Sequence, residues 1–296
     1  MFEPFVLMAK EFYSADFPHE SLDEALASYE LRASALLATK APASIPDHCT
    51  LPAWDTFYSS HGAKFFHPRQ YLLACFPLLA TLCTGEQVVL ECGVGNGSNL
   101  ATLLPFPSLR IVACDHSAVS LAALAEVPAC ATAVAAGRLT LLQWDIAAGP
   151  MPPLPAAAAT AQPPQAALLF FTLSAVPPSQ HLAALQHLAA AMQQEGGHLC
   201  FRDYGAGDHA QLRAPDSAIL SSQTHRRGDG TLSHYFSTQE LGALLTAAGF
   251  TALQLQYHTV QSRNRKTGQC LKRVFVHALA RLGSAEPEAA PVSSSH

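Results

Sequence analysis

Three polar side chains follow one another at the end of an apolar segment. Residues 198–201 have the pattern of a β-strand, and Arg202, Asp203 and Tyr204 come directly after them. Burying charged groups costs free energy unless they are paired, so packing alone does not explain these residue types. A carboxylate can stabilise positive charge on a substrate, a phenol ring can stack, and a guanidinium can orient the carboxylate or contact a phosphate. We therefore take Arg202, Asp203 and Tyr204 as candidate catalytic residues; the alternative is a buried ion pair that ends a strand.

A glycine-rich turn lies upstream, in the segment VVLECGVGNGSNLATLL. Glu91, Gly93, Gly95 and Gly97 form the pattern E-x-G-x-G-x-G after an apolar strand. Glycines allow a tight turn and close approach of the backbone to a ligand, although a bare strand-to-helix connection is the alternative. An acid at this strand end would repel a pyrophosphate but attract the ammonium group of S-adenosylmethionine. The charge therefore favours S-adenosylmethionine over a dinucleotide as the cofactor.

Two further acids end the next two predicted strands. Asp115 lies 24 residues after Glu91, the interval at which nucleotide-binding sheets place a carboxylate to bind ribose hydroxyls. Asp145 ends the third strand, where it could accept a hydrogen bond from an adenine amino group with Ile146 beside the ring, or could serve only as a turn residue. Because the carboxyl ends of parallel strands share one edge of a sheet, we expect these acids and Asp203 to meet there.

The elements that position these residues alternate between strand-like and helix-like patterns over residues 86–280. Strands are predicted at QVVLEC, LRIVACD, RLTLLQWD, AALLFFTL, GGHLCFRD, TALQLQYHTV and RVFVHALA, and helices near 97–104, 118–126, 179–194 and 238–248. Ser179 and Ser237 are predicted helix caps; Glu240 would complete a capping box with Ser237, and Gly249 would end that helix. The alternation predicts an α/β fold with a seven-stranded, mostly parallel sheet and helices on both faces.

The remaining segments are predicted to flank this domain. Residues 1–50 form an N-terminal helical arm with a helix around 20–39, residues 51–282 form the domain, and residues 283–296 form a disordered tail. The Pro/Ala-rich segment 147–165 offers little to bury and is predicted to be a mobile surface loop.

The composition narrows the classes of partner and compartment. A net charge of −5 and a pI near 6.2 give no global basic field, so a nucleic acid would need a local basic patch. The eight cysteines are scattered without a C-x-x-C pair, which indicates reduced thiols, and the fourteen histidines show no metal-ligand spacing, so we expect no metal site. Neither a targeting segment nor a long apolar run is visible, which predicts a cytoplasmic protein, with a nuclear share left open, and no membrane.

Basic residues group around two predicted turns. Arg226 and Arg227 precede a hairpin turn at Asp229 and Gly230, and a second basic group surrounds the turn at 267–268. We predict that these turns contact an RNA backbone, although solvated charged loops are the alternative. The predicted RNA-binding residues are Arg226, Arg227, Arg265, Lys266 and Arg273.

Several separated motifs resemble the tRNA N3-methylcytidine methyltransferase family, over roughly residues 54–279. They are WDTFYSSHGAKFFHPRQYL, LECGVGNGSNLATLLP, ACDHS, LSAVPP, FRDYGAGDHAQLR, RRGDGTLSHYFST and KRVFVHAL, of which the first and fifth are the most specific. The resemblance implies a class I S-adenosylmethionine-dependent methyltransferase fold and formation of 3-methylcytidine in tRNA, in the anticodon loop. One departure is Gln165, which stands where the family usually has Asp.

The resemblance also implies roles for individual residues. Phe65, Phe66 and Arg69 would close over the cofactor and the substrate entrance, and Arg202, Asp203 and Tyr204 would line the catalytic pocket. The residues expected to hold S-adenosylmethionine are Glu91, Gly93, Gly95, Gly97, Asp115, Asp145, Ile146, Phe171 and Arg69. The implied partner is tRNA, and a helper protein such as an aminoacyl-tRNA synthetase is left open. The alternatives are a methyltransferase of a small-molecule or protein acceptor and a catalytically silent methyltransferase-like subunit.

Overall fold

A seven-stranded sheet forms the centre of the protein. The computed structural model describes residues 16–40, 51–61, 69, 71–155, 162–192, 196–263, 268 and 270–283. The strands of this sheet are β1 (Val88–Cys92), β2 (Arg110–Asp115), β3 (Leu139–Gln143), β4 (Ala166–Phe170), β5 (His198–Tyr204), β8 (Phe250–Arg263) and β9 (Cys270–Leu282). Their order is β3-β2-β1-β4-β5-β9-β8; β1 to β5 are parallel, and β9 is antiparallel to both β5 and β8. The predicted seven-stranded, mostly parallel sheet is confirmed.

Helices cover both faces of this sheet. They are α1 (Asp23–Thr39), α2 (Leu51–His61), α3 (Leu72–Cys75), α4 (Pro77–Leu82), α5 (Leu100–Leu103), α6 (Ala118–Ala125), α7 (Pro128–Ala135), α8 (His181–Met192), α9 (His209–Leu212) and α10 (Thr238–Ala247). Apolar residues of α8 and α10 pack on one face of the sheet, and those of α3 to α7 pack on the other. The sheet is therefore buried on both sides, which explains why its parallel strands are continuous apolar runs rather than alternating ones.

A separate hairpin stands beside the main sheet. It consists of β6 (Thr224–Arg226) and β7 (Leu232–His234), which pair in antiparallel fashion. Gly230 in its turn has a φ of 86°, a conformation that favours glycine, so the predicted hairpin turn is confirmed. The tip of the other predicted turn, residues 264–267, lies outside the described residues.

Several helix predictions need correction. The helix predicted over 97–104 is shorter, Leu100–Leu103, and Ser179 lies in a 3-10 turn (Pro178–Gln180) rather than capping α8. The helices α2, α3, α4, α7 and α9 were not predicted. The buried residues of α7 are Cys130 and Ala133, whose small side chains give no strong amphipathic signal.

The start and end of α10 were predicted correctly, but its capping box was not. Ser237 Oγ accepts a hydrogen bond from the Glu240 amide at 3.0 Å, and Gly249 follows the helix with a φ of 88°. The Glu240 carboxylate instead accepts hydrogen bonds from His234 Nε2 at 3.0 Å and from Gln223 Nε2 at 2.8 Å. Because these tertiary partners engage the carboxylate, the reciprocal half of a capping box is not seen.

The flanking segments are partly packed on the domain. Helix α1 confirms the helix predicted around 20–39, and its Tyr29 and Ala33 pack against Ala214 and Ile219. In the Pro/Ala-rich segment, Met151 and Leu154 pack against the main core, so that part of the segment is held down, while residues 156–161 lie outside the described residues.

Two further sequence expectations concern cysteines and membranes. Of the seven described cysteines, six are buried and Cys270 is exposed, and all are free thiols, as expected.

Within the described ranges, no single helix has the length and apolar content to cross a bilayer. Helices α6 and α7 meet these criteria only when taken together, as a pair that is bent by 87°.

Candidate active site

The glycine-rich turn is held tightly against neighbouring strand ends. Gly93, Gly95 and Gly97 have φ values of 71°, 52° and 74°. The Gly93 amide donates to the Cys114 carbonyl oxygen at 2.8 Å. A β-carbon on Gly93 would lie 2.2 Å from Thr172 Oγ1, so both the conformation and the lack of space require glycine at this position.

Glu91 offers an unsatisfied oxygen beside this turn. Its side chain is 2% exposed, and Oε1 accepts a hydrogen bond from Asn99 Nδ2 at 3.0 Å. Oε2 is buried and has no hydrogen-bond partner among the described residues. Burial raises the pKa of Glu91 to about 8, against the lowering effects of the Asn99 bond and the Arg69 charge. A cationic group at Oε2, such as the ammonium of the predicted methyl donor, would favour the ionised form of this buried acid.

Asp115 is oriented by two backbone amides at the end of β2. Its Oδ2 accepts from the Gly95 amide at 2.9 Å and its Oδ1 accepts from the Ser117 amide at 3.0 Å. Burial raises its pKa. Since a carboxylate has about four acceptor positions, these two bonds leave capacity for the ribose hydroxyls predicted from the sequence.

One cavity brings together five of the residues predicted to bind the cofactor. Of the predicted cofactor residues, Gly93, Asp115, Asp145, Ile146 and Phe171 line it. Asp145 Oδ1 also accepts from the Ala147 amide at 2.9 Å, so it serves as a turn residue as well. The sequence interpretation missed several lining residues: Trp54, Tyr58, Cys92, Cys114, His116, Trp144, Ala147, Thr172, Ala175, Val176 and Pro177.

Helix α2 closes one side of this cavity with aromatic rings. Trp54 and Tyr58, four residues apart on the helix, stack with their ring centroids 5.7 Å apart, and both line the cavity. Asp55 Oδ1 accepts a hydrogen bond from Ser117 Oγ at 2.5 Å, which ties the helix to the end of β2. The aromatic residues at i and i+4 within the WDTFYSS motif were the signal that could have identified this wall.

The structure describes only part of the motif WDTFYSSHGAKFFHPRQYL. The predicted residues Phe65 and Phe66 lie outside the described residues, as do Arg265 and Lys266. The Arg69 guanidinium lies 4.9 Å from the centroid of the Phe171 ring, which places it at the edge of the cofactor cavity.

Asp203 is fully buried at the end of β5. Its Oδ2 accepts from the Ser174 amide at 2.9 Å and its Oδ1 accepts from the Tyr204 amide at 2.8 Å. Burial raises its pKa to about 6, and the Ser174 bonds and the Arg227 charge oppose the rise. The carboxylate is therefore mostly ionised at pH 7, and two amides hold it in one orientation.

Arg202 points away from Asp203. Successive side chains on a strand face opposite sides of the sheet. Arg202 Nη2 hydrogen-bonds His258 Nδ1 at 2.8 Å, and its guanidinium lies 4.4 Å from the Phe275 ring centroid. Neither predicted role for Arg202, orienting Asp203 or contacting a phosphate, is supported by this buried position. Arg227 supplies the positive charge that acts on Asp203 instead.

Tyr204 contacts Phe171, which lines the cofactor cavity. Its hydroxyl accepts a hydrogen bond from Arg227 Nη2 at 2.8 Å, and its ring centroid lies 5.2 Å from that of Phe171. The hairpin β6–β7 thus brings one of the predicted basic residues directly against the predicted catalytic triplet.

A network of two buried histidines and the partly exposed Glu240 anchors this hairpin. The potential ligand atoms of His181, His234 and Glu240 lie within 4.8 Å of one another, an arrangement that sequence spacing concealed because the three residues come from different elements. His181 Nε2 bonds the Val176 carbonyl at 2.9 Å, and His234 Nδ1 bonds Thr224 Oγ1 at 2.9 Å. Burial lowers the pKa of His181 to about 4, so the ring is neutral at pH 7. Because these nitrogens are engaged by protein groups, the network fixes the hairpin against α8 and α10.

Comparisons with known proteins identify the family of this chain. A family model described as a methyltransferase domain matches residues 65–255. The tRNA N(3)-methylcytidine methyltransferase Mettl2 of Drosophila melanogaster is 30% identical over 236 residues, which cover 75% of this chain and 68% of the relative. The human tRNA N(3)-cytidine methyltransferase METTL6 is 30% identical over 233 residues, which cover 76% of this chain and 78% of the relative.

A solved structure shares the fold at low identity. It is the 1,6-didemethyltoxoflavin-N1-methyltransferase of Burkholderia thailandensis with bound 1,6-didemethyltoxoflavin and S-adenosylhomocysteine. The TM-score is 0.52 at 19% identity, with 82% of this chain and 95% of that chain covered. At this identity the likeness bears on the fold alone.

Proposed function

Since this chain belongs to the tRNA N(3)-methylcytidine methyltransferase family, we propose that it forms 3-methylcytidine in tRNA, at a cytidine of the anticodon loop. It is an S-adenosylmethionine-dependent methyltransferase, and the cofactor supplies a methyl carbon on a cationic sulfur. The acceptor atom would be N3 of the cytosine ring.

The observation that carries this proposal is the buried, oriented carboxylate of Asp203, which accepts from the amide of Ser174 between the cavity-lining residues Thr172 and Ala175. Cytosine N3 attacks with a neutral lone pair, so no base has to remove a proton first, and the methylated ring is a cation. A carboxylate that is ionised at neutral pH would accept a hydrogen bond from the exocyclic amine and stabilise the developing positive charge. Asp203 is held in one orientation by two backbone amides and is mostly ionised at pH 7, which supports this role.

The surroundings of Asp203 support a nucleobase as its partner. The Tyr204 ring is partly exposed next to Asp203 and offers a face on which an extruded base can stack, as RNA-binding proteins commonly arrange. Stacking and the hydrogen bond to Asp203 would together align N3 with the methyl donor, which lowers the barrier through orientation.

The proposed roles of the cofactor residues follow from their own contacts. Glu91 would bind the ammonium group through its open Oε2, and Asp115 would bind the ribose hydroxyls through its remaining acceptor positions. Asp145 and Ile146, which line the same cavity, would contact the adenine.

The test is transfer of labelled methyl from S-adenosylmethionine to total tRNA, followed by mass spectrometry of the nucleosides. Wild type is expected to form 3-methylcytidine, and Asp203→Asn is expected to reduce the rate about 100-fold or more because it removes the charge that stabilises the cation. Glu126→Gln is a control in which an exposed carboxylate becomes an amide, and it should retain the wild-type rate.

The same assay distinguishes the alternatives. Cofactor binding without a labelled nucleoside, with purified aminoacyl-tRNA synthetases present as well as absent, would contradict the tRNA proposal and point to another acceptor. Absence of measurable cofactor binding would favour the catalytically silent subunit.

A further inference from the structure

A second groove is lined in part by Tyr204 and shares no lining residue with the cofactor cavity. Four arginines line it, and no acidic residue does so within the part of the chain that the structure describes. They are Arg213, Arg226, Arg227 and Arg273, here called the arginine groove. This concentration of positive charge is notable because the whole chain has a net charge of −5.

The two inner arginines flank Tyr204. The guanidinium carbons of Arg227 and Arg273 lie 5.3 and 5.9 Å from the centroid of the Tyr204 ring. Arg273 Nε donates to Oδ2 of the fully buried Asp208 at 2.8 Å, which fixes the direction of its side chain. Since a guanidinium has five N–H donors, the terminal amines of Arg273 keep donors for an anion. The inner pair is thus held in place before any ligand arrives.

The two outer arginines are exposed. Arg213 and Arg226 have no side-chain hydrogen bond or ion pair with another described residue. The carboxylates that interact with the four arginines come from outside the groove: Asp208 binds Arg273, and Asp203 and Asp229 feel the charge of Arg227. Like charges brought close together repel one another, and the fold gains nothing from them. An anionic ligand would turn this repulsion into attraction.

A row of rings connects the arginine groove with the cofactor cavity. Ring centroids are separated by 5.2 Å from Phe171 to Tyr204, 5.9 Å from Tyr204 to Tyr235, and 5.1 Å from Tyr235 to His225. Tyr235 and His225 are buried and support the partly exposed Tyr204 from behind. The Tyr29 hydroxyl forms a hydrogen bond with His225 Nε2 at 2.6 Å, so helix α1 also supports this row of rings.

We infer that the arginine groove binds the RNA backbone beside the target cytidine. The phosphate next to the base that stacks on Tyr204 is held by Arg227 and Arg273, and the following phosphate meets Arg213 and Arg226. A positively charged groove combined with an aromatic platform is the arrangement by which proteins bind single-stranded nucleic acid. Planar guanidinium groups also match phosphate oxygens in two-point hydrogen bonds. This inference rests on the proposed function and specifies which part of the RNA is recognised and where.

The test measures binding rather than catalysis. A stem-loop RNA containing the target cytidine is compared with copies in which one phosphodiester at a time is replaced by a neutral methylphosphonate. Fluorescence anisotropy is recorded over a range of salt concentrations. Wild type is expected to bind about tenfold more weakly to RNAs in which one or two linkages next to the target are neutral. Neutral linkages elsewhere should leave its affinity unchanged.

The variants assign that loss to the groove. The double variant Arg213→Gln/Arg226→Gln should bind the unmodified RNA more weakly, with a log–log salt slope reduced by about 2, and should no longer respond to the outer of the sensitive linkages. Arg110→Gln removes the same charge from an exposed position at the amino end of β2, opposite the site, and should respond to the linkages as wild type does. Both outer arginines are exposed, and a circular dichroism melt verifies that the double variant is folded.

The outcomes separate this inference from the proposed function. Formation of 3-methylcytidine without a sensitive linkage, or a double variant that stays as sensitive as wild type, overturns the phosphate site and leaves the function standing. Sensitive linkages in an RNA that is never methylated support the phosphate site and overturn the function. Equal competition by cytidine monophosphate or inorganic phosphate, at concentrations matched to the RNA, assigns the groove to free anions and overturns the inference.

Discussion

The ring of Phe171 lies 5.2 Å from the ring of Tyr204, tilted by 51° to it. Phe171 has a φ of 54° and is the one non-glycine residue with positive φ among those described. Its amide donates to the Arg202 carbonyl oxygen at 2.9 Å. A bulky residue in this conformation is strained, and such strain persists where surrounding contacts hold it. Phe171 lines the cofactor cavity and Tyr204 lines the arginine groove, so this pair of rings forms the wall between the two.

Truncation of that wall should impair catalysis more than cofactor binding. Tyr204→Ala removes a stacking surface worth about 1–3 kcal/mol per base, so kcat/KM for tRNA should fall roughly 10- to 100-fold. Tyr204→Phe retains the ring and loses only the hydrogen bond from Arg227, so its loss should be smaller. Calorimetric titration should give unchanged cofactor affinity for both variants. Equal losses in the two variants would argue against stacking as the role of the ring.

The activity should depend on pH through Asp203. Its folded pKa is raised to about 6, so the fraction in the ionised form that stabilises the cation decreases as the pH falls below 6. At saturating cofactor, the logarithm of the wild-type rate should drop with a slope approaching one per pH unit in that range. Asp203→Asn should be slow and lack this limb of the profile. A wild-type profile that stays flat down to pH 5 would exclude this carboxylate from the chemistry.

Glu91 should strengthen cofactor binding but lower the free energy of unfolding of the cofactor-free protein. The pKa of this acid is about 8 in the folded state and about 4.5 when exposed. Between these values the unfolded chain releases a proton that the folded chain keeps, so the free energy of unfolding decreases as the pH rises. Glu91→Gln removes this dependence and should be more stable than wild type, by a margin that grows from pH 5 to pH 7.

Two measurements test the prediction for Glu91. Urea unfolding without cofactor at both pH values gives the stability margin, and Glu126→Gln, at an exposed position, serves as the control that should show none. Cofactor titration should show at least about tenfold weaker binding by Glu91→Gln because the partner of the ammonium group is lost. A margin that is the same at the two pH values would show that the buried carboxyl does not have a raised pKa.

Alanine substitutions at two glycines distinguish the effect of backbone strain from the effect of a steric clash in the cofactor-binding turn. Gly93 and Gly137 have φ values of 71° and 67°, but a β-carbon on Gly137 meets nothing within 4 Å. Gly137→Ala should therefore cost only the strain of about 1–2 kcal/mol. Gly93→Ala would also collide with Thr172 and should abolish cofactor binding. Thermal melts and cofactor titrations of the two variants make the comparison, and similar loss of cofactor affinity in both would contradict it.

The sequence was sufficient to predict which residues lie at the carboxyl edge of the parallel strands, because that placement follows from the order of strands and acids along the chain. Residues that follow parallel strands must meet at one edge, so Glu91, Asp115 and Asp203 could be grouped without coordinates. The contact of Arg227 with Tyr204 could not be predicted, since it depends on where a distant hairpin docks. The direction of Arg202 could have been, because Arg202 and Asp203 are successive residues of one strand and must face opposite sides of the sheet. Tertiary contacts likewise redirected the carboxylate of Glu240 away from its helix cap.

The position of β9 has a consequence for the order in which the protein can be assembled during translation. This strand lies between β5 and β8 and pairs with β5 from His198 to Tyr204. It also brings Arg273 beside Tyr204. A ribosome releases β5 well before β9, so the nascent chain exposes an unpaired strand edge that invites pairing with other chains. The active site and the arginine groove can become complete only after residues 270–282 have left the exit tunnel, which makes this step a natural point for chaperone protection.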